Sequence, residues 1–470
     1  MKKITALIAA LMLTGCAADM TYADYERPVQ AASTLSPTGD VYVAHQAVYE
    51  DAGTPDRCLE TVSSDDGICT ISKMEHYYDV HIDYEHSDSA QAGRAYAQAM
   101  KKIYPDISEM IEPYLYENIM IAFPGVKEYA PVEKRIFTLA DSLRDDQKEE
   151  LFAFAEEISD GVRGYVQDGI ISYEEAVTFN LIPEALRESA CSALTLWGSK
   201  TATGDMIATR FLDWNLGSDY QMCKIHAVIH ADKGERSYTA ISFLGFESVI
   251  SGVNNDGVFG AILDVGSNDE IYSCEDRKCY TWELRYALEE FDTAKEVGQY
   301  MVDNSADFTW SHHIYLADGR ETYCAEDAVA QLQKSGKGFS VLRDCDTPLM
   351  DGVHWDNPDS LCVVNSFAAK GNQDGFSSSG GGQHNIVRFN KYNEWVGSRD
   401  TFTPAQLKSV LTSEQVNLGS KEGEPQVNCV RIKGTSQIIM VDYHTGNIQV
   451  AFTPAEGPTD DVIFTDVGHY

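Results

Sequence analysis

Three residues in the middle of the chain combine a nucleophile, a cation and a carboxylate. Cys191 opens the apolar run CSALTLWG, and Arg210 and Asp213 lie in the next one, MIATRFLDW, beyond the turn-rich SKTATGD. A cysteine attacks as its thiolate, so it needs a base and a group that orients that base. Two sources of base are open. Imidazole is one: His226, His230, His312 and His313 sit in strand-like stretches, although nothing beside them completes a Cys–His protease pattern. The other is the α-amine of the cysteine itself. Such an amine has a pKa of about 7.7–8.0, poised near neutral pH, but the Ala190–Cys191 bond must first be cut to expose it. The plain alternative is a buried thiol beside a strand-end ion pair.

The elements that must position these groups can be read from pattern. SAQAGRAYAQAMKKIY is rich in helix formers, and Pro105 ends it at Tyr104. In LFAFAEEISDGV, Leu151, Ala155, Ile158 and Val162 recur at helical spacing. QDGIISYEEAV contributes a turn and another helix start. After Cys191 the pattern changes to strands: MIATRFLDW, KIHAVIHA, SYTAISFLG, GVFGAILDV, SHHIYLAD, SLCVVNSF and SQIIMVDYHTGNIQVAF, the last folded at HTGN. One long helix, TWELRYALEEFDTAKEVGQYMVD, interrupts them, and SSSGGGQHN (377–385) reads as a flexible loop. The division expected is a signal at 1–15, a spacer at 16–75, a helical segment at 76–190 and a strand-rich α+β unit at 191–470.

ACSALTLWGSKTATGDMIATRFLDWN resembles the start of the mature subunit in N-terminal-nucleophile cysteine hydrolases, namely the isopenicillin N acyltransferase-like, acid ceramidase and choloylglycine hydrolase families. SGVNNDGVFGAILDVG is similar to their Gly-x-Asn-x-x-Gly strand, LCVVNSF to their oxyanion asparagine segment, and NIVRFNKY to their late Arg-aromatic segment. The resemblance implies roles for Cys191, Arg210 and Asp213, an oxyanion hole from the Asp264 N–H and the Asn365 side chain, and a further contribution from Arg388. It departs from the pattern at Ser192, where many relatives carry threonine, and in a slightly longer spacing from Cys191 to Arg210. The implied fold is α+β, a four-layer αββα sandwich of antiparallel sheets preceded by a helical prosegment. The implied activity is a self-processing amidohydrolase, cut between Ala190 and Cys191, that opens linear carbon–nitrogen bonds of a small-molecule amide through a thioester. An acyltransferase of the same fold and a non-catalytic, lipid-anchored binding protein are the alternatives. No cofactor and no metal are implied.

The first residues set an expected compartment. Lys2 and Lys3 precede the short apolar run ITALIAALML, and LTGC then resembles a bacterial lipoprotein signal, which implies lipidation at Cys16 and a place in the cell envelope. Membrane contact is expected through that anchor alone. A formal charge of −37 disfavours nucleic acid as a partner. Of 11 cysteines, those outside Cys16 face an oxidising exterior. Pairing is suggested for Cys58 with Cys69, Cys274 with Cys279, and Cys324 with Cys345.

Overall fold

A computed structural model of the chain describes residues 56–122, 130–164, 168–186, 190–265, 270, 272–372, 382–412, 434–459 and 461–470. The expected signal, Cys16 and most of the expected spacer lie outside the described residues.

The part of that spacer that is described is strand. Cys58–Ser63 (β1) and Cys69–Met74 (β2) form a hairpin, and Tyr78–Asp83 (β3) continues it. Cys69 and Ile71 are buried while nearly all of β1 is exposed, so the polar composition that reads as spacer is that of a solvated edge strand. Six helices follow: Ser89–Ile103 (α1), Ser108–Ala122 (α2), Ala130–Ala140 (α3), Asp145–Ser159 (α4), Tyr173–Asn180 (α5) and Ile182–Leu186 (α6). Asp88 starts α1 with a reciprocal capping box to Gln91, and the helix ends at Tyr104, ahead of Pro105. Its alanine-rich face meets α4 so closely that a Cβ on Gly93 would stand 2.2 Å from the Glu150 carbonyl. Leu151, Ala155 and Ile158 are buried as expected, but Asp160 turns left-handed and leaves Val162 beyond the helix.

Past residue 189 come Ala190–Leu196 (β4), Ile207–Asp213 (β5), His226–Asp232 (β6), Tyr238–Phe243 (β7), Ser251–Asn254 (β8) and Phe259–Asp264 (β9). The long helix expected next is two, Tyr280–Glu290 (α7) and Ala294–Asn304 (α8). Phe291 is extended, and the Thr293 hydroxyl caps a new start by accepting from the Glu296 N–H. His312–Ala317 (β10), Thr322–Asp327 (β11), Ala330–Ser335 (α9), Val341–Arg343 (β12) and Ser360–Val364 (β13) follow. Gly382–Gly397 (α10) takes in the end of the segment read as a flexible loop, whose residues 377–381 lie outside the described residues. Pro404–Thr412 (α11), Thr435–Asp442 (β14), Asn447–Phe452 (β15) and Thr465–His469 (β16) complete the chain.

The strands make two sheets. One has ten strands in the order β1-β2-β3-β6-β7-β8-β9-β10-β11-β12, and the other six in the order β13-β4-β5-β14-β15-β16. Among the described strands every pairing is antiparallel except β3 with β6. Helices cover both outer faces. Gly252 and Gly260, register partners on β8 and β9, leave room for Leu284 and Leu288 of α7. On the far side, Leu194, Phe211 and Met440 pack against Phe389, Tyr392 and Trp395 of α10 and Leu407 and Leu411 of α11. Between the sheets lie the inward residues, among them Cys191, Ala193, Ala208 and Leu212. The result is the four-layer αββα sandwich.

The six cysteines of the expected pairs are all free. Register explains two of the three cases. Cys58 stands opposite Met74, whereas Cys69 lies just past the Ser63–Thr70 pair, so the two occupy opposite ends of one hairpin. Cys324 faces Arg343 across β11 and β12, which carries Cys345 past it to an exposed position.

Candidate active site

Strand parity organises the centre of the molecule. β4 and β5 pair with Ala190 opposite Asp213, Cys191 opposite Leu212 and Ala193 opposite Arg210. Residues three apart on a strand point to opposite faces. Arg210 therefore reaches into the space between the sheets, and Asp213 reaches the outer, helix-covered face. Cys191 and Arg210 are fully buried and Asp213 nearly so.

Arg210 Nη2 stands 3.1 Å from Cys191 Sγ and 2.8 Å from the Ile262 carbonyl, while Nη1 donates to Ser251 Oγ at 2.5 Å. None of these three acceptors is a carboxylate. Arg388 approaches from α10. Its Nη1 donates to the Cys191 carbonyl at 2.8 Å and to Asp213 Oδ2 at 3.4 Å, and its Nη2 donates to Asn365 Oδ1 at 2.7 Å. Asn365, one residue beyond β13, also accepts the Cys191 backbone N–H through Oδ1 at 2.6 Å. Its Nδ2 donates to the Asp264 carbonyl at 2.5 Å. The structure thus brings together Cys191, Arg210, Asp213, Asp264, Asn365 and Arg388, with the Ala190–Cys191 bond at the head of β4. The Asp264 group engaged by Asn365 is its carbonyl, whereas the sequence reading assigned its N–H.

The electrostatics follow from burial. Burial pushes the Cys191 thiol up, Asp213 adds to the rise, and Arg210 and Arg388 pull against it. Burial also raises the Asp213 carboxyl to about 6, against Arg388, Thr435 and Arg210. Arg210 is lowered by burial, with Cys191 working the other way. Two buried guanidiniums therefore surround one carboxylate and one thiol. The two guanidiniums offset part of the burial that disfavours an anion at sulfur.

The histidines considered as bases lie elsewhere. His226 and His230 are on β6 and His312 and His313 on β10, and no histidine is among the hydrogen-bond partners of Cys191 in the described residues. Sequence reasoning missed three supporting side chains. Asn385 accepts from Arg388 Nη2 at 2.6 Å and donates to the Asn365 carbonyl at 2.8 Å. Its spacing of one helical turn before Arg388 was the available signal, hidden by the Ser/Gly run in front of it. Thr435 Oγ1 donates to Asp213 Oδ1 at 2.6 Å, and Ser251 holds Arg210. Neither carries a local signature.

No family model matches the chain, and no curated protein matches it. Solved structures do. An N-acylethanolamine-hydrolyzing acid amidase ortholog of Caenorhabditis elegans aligns at 15% identity over 54% of this chain and 92% of its own, with a TM-score of 0.36. A conjugated bile acid hydrolase of Clostridium perfringens (12% identity; 59% and 92% covered; TM-score 0.34) and a penicillin V acylase of Agrobacterium tumefaciens (14%; 59% and 86%; 0.32) align similarly. At this level of likeness no residue's role follows from them.

Proposed function

We propose that this chain is a self-processing amidohydrolase that cleaves linear carbon–nitrogen bonds through Cys191 as a new N-terminus. One observation carries the reading: a buried guanidinium sits 3.1 Å from the sulfur of a cysteine whose own N–H and carbonyl are each held by a further site residue.

In the first step the Cys191 sulfur adds to the Ala190 carbonyl carbon. The C–N bond breaks, the freed amine takes up the thiol proton, and the acyl group moves from nitrogen to sulfur. Water then hydrolyses the thioester, leaving a carboxylate on Ala190 and a free thiol on Cys191. In turnover the new α-amine accepts the thiol proton, and the thiolate attacks a substrate amide. The leaving amine collects that proton, and a second water resolves the acyl-enzyme. Asn365 Oδ1, already on this nitrogen, holds the amine, and Arg388 fixes the Cys191 peptide plane. Asp213, tied to Arg388 and Thr435, orients the amine side of the site. Arg210 stabilises the thiolate. One N–H of Asn365 Nδ2 is taken by the Asp264 carbonyl; its second N–H, with the Asp264 N–H, forms the oxyanion hole, and a single such donor is worth about 2.7–4 kcal/mol in a preorganised site.

The lipoprotein-like start is part of the same proposal: Cys16 carries the anchor and the enzyme works at the bacterial envelope. Among the described residues no helix is long and apolar enough to cross a membrane.

Denaturing electrophoresis of wild type beside Cys191→Ala, with hydrolysis of a panel of short- and long-chain N-acyl amides, tests the reading. Wild type is expected to give two chains and turnover, the variant one chain and none. A wild-type chain that hydrolyses amides while whole overturns self-processing.

A further inference from the structure

β3 and β6 pair in parallel in the large sheet, and they set His81 directly beside His230. The two rings stack with centroids 4.4 Å apart and 16° between planes. Asp79, on the same face of β3, lies between their tips. Its Oδ2 is 3.2 Å from His81 Nε2 and its Oδ1 3.0 Å from His230 Nε2. One nitrogen from each ring and one carboxylate oxygen thus lie within 4.8 Å of one another. The His81 side chain is 57% exposed, so the group opens to solvent, whereas those of His230 and Asp79 are 24% and 22% exposed.

We propose that Asp79, His81 and His230 form a binding site for a divalent transition-metal ion of the Zn2+ type, with solvent as the fourth ligand. Two imidazoles and a carboxylate are a donor set of borderline softness that suits this ion. Zinc bonds of about 2.0–2.2 Å in a tetrahedron put ligand atoms about 3.4 Å apart. The Asp79 oxygens stand 3.2 and 3.0 Å from the two ring nitrogens, and small ring tilts reach that spacing. The outer nitrogen of His230 is also engaged: Nδ1 lies 3.0 Å from Oγ1 of Thr239, its register partner on β7. That contact fixes the ring and leaves Nε2 facing the cluster, which is how a second partner orients a metal-bound histidine. A chain of formal charge −37 also concentrates cations at its surface. If the processing proposed above occurs, the ion joins the two products, since Asp79 and His81 precede residue 190 and His230 follows it.

Chelator-stripped, full-length Cys191→Ala protein titrated with ZnCl2 by calorimetry separates metal binding from processing. One saturable site is expected. His81→Ala and His230→Ala should each remove it, and Thr239→Val should weaken it about tenfold. His86→Ala, which alters the nearby His86–Asp83 pair, should leave it intact. Circular dichroism verifies folding of each variant, and zinc should raise the melting temperature of the parent but not of the two ligand variants. Absence of a saturable site, or a site unaffected by both His81→Ala and His230→Ala, overturns the proposal and leaves a hydrogen-bonded His–Asp–His cluster. Zinc binding in an unprocessed chain that both histidine variants abolish upholds it even if the amidohydrolase reading fails.

Discussion

Two of the fully buried arginines, Arg285 and Arg210, are held in opposite ways. Arg285, on α7, is met by two carboxylates. Its Nη1 and Nη2 grip Glu150 of α4 at 3.0 and 2.7 Å, and its Nε meets Glu289 at 3.0 Å. Arg210 is met by a thiol, a hydroxyl and a carbonyl. The carboxylates hold Arg285 above its ordinary value despite burial, whereas burial lowers Arg210. A neutralised cation ties the helical segment to the rest of the fold. A cation with no carboxylate among its hydrogen-bond partners leaves more of its field for an anion that forms beside it. The pair teaches how scaffold and chemistry differ in one protein: by what answers the charge, since burial is alike.

The sharpest break of that comparison is a matched substitution. Arg285→Met strands Glu150 in the interior and should destabilise the fold by about 3–5 kcal/mol, read by urea unfolding. Arg210→Met strands no carboxylate. It should unfold near the parent midpoint while self-cleavage slows by about a hundredfold or more. Equal stability losses in the two variants would dissolve the distinction.

Next in size is the pH dependence of Asp213. Its carboxyl is raised from 3.8 to about 6 by burial, so the folded state holds a proton that the unfolded state has lost. The stability this contributes is present in full below 3.8 and is lost as pH rises through about 6, a change of about 3 kcal/mol that Asp213→Asn should remove. Processing runs the other way. It needs the carboxylate, so its rate should fall as pH drops through about 6. A flat rate from pH 7.5 to 5 would exclude Asp213 from the chemistry.

The smallest effect tests a residue that touches no reacting atom. Thr435→Val deletes one hydrogen bond to the Asp213 carboxylate. The acid limb of the processing rate should move up by about one pH unit, while the unfolding midpoint of the variant stays close to that of its parent.

Much of this was legible along the chain because it is local. β-rich runs between turn signals located the strands after Cys191, whereas β1–β3 before it were read as spacer and helical segment; once β5 is a strand, the spacing of Arg210 and Asp213 alone sends them to opposite faces. Asp88 and Ser172, each followed three residues on by Gln91 and Glu175, start α1 and α5 through contacts that span a single turn. What the chain could not display by itself is closure over distance. Asn365, Arg388 and Thr435 reach the Cys191–Asp213 pair from 174, 197 and 222 residues away along the chain. Only a resemblance pointed to the first two, and nothing pointed to Thr435. The fate of Cys58 and Cys69 was likewise a matter of register, and the meeting of His81 with His230 awaited a parallel pairing that joins distant segments. Local periodicity determines which way a side chain faces, because backbone geometry repeats. Which other side chain it meets is decided by packing of the two sheets and their helices, which no single stretch encodes.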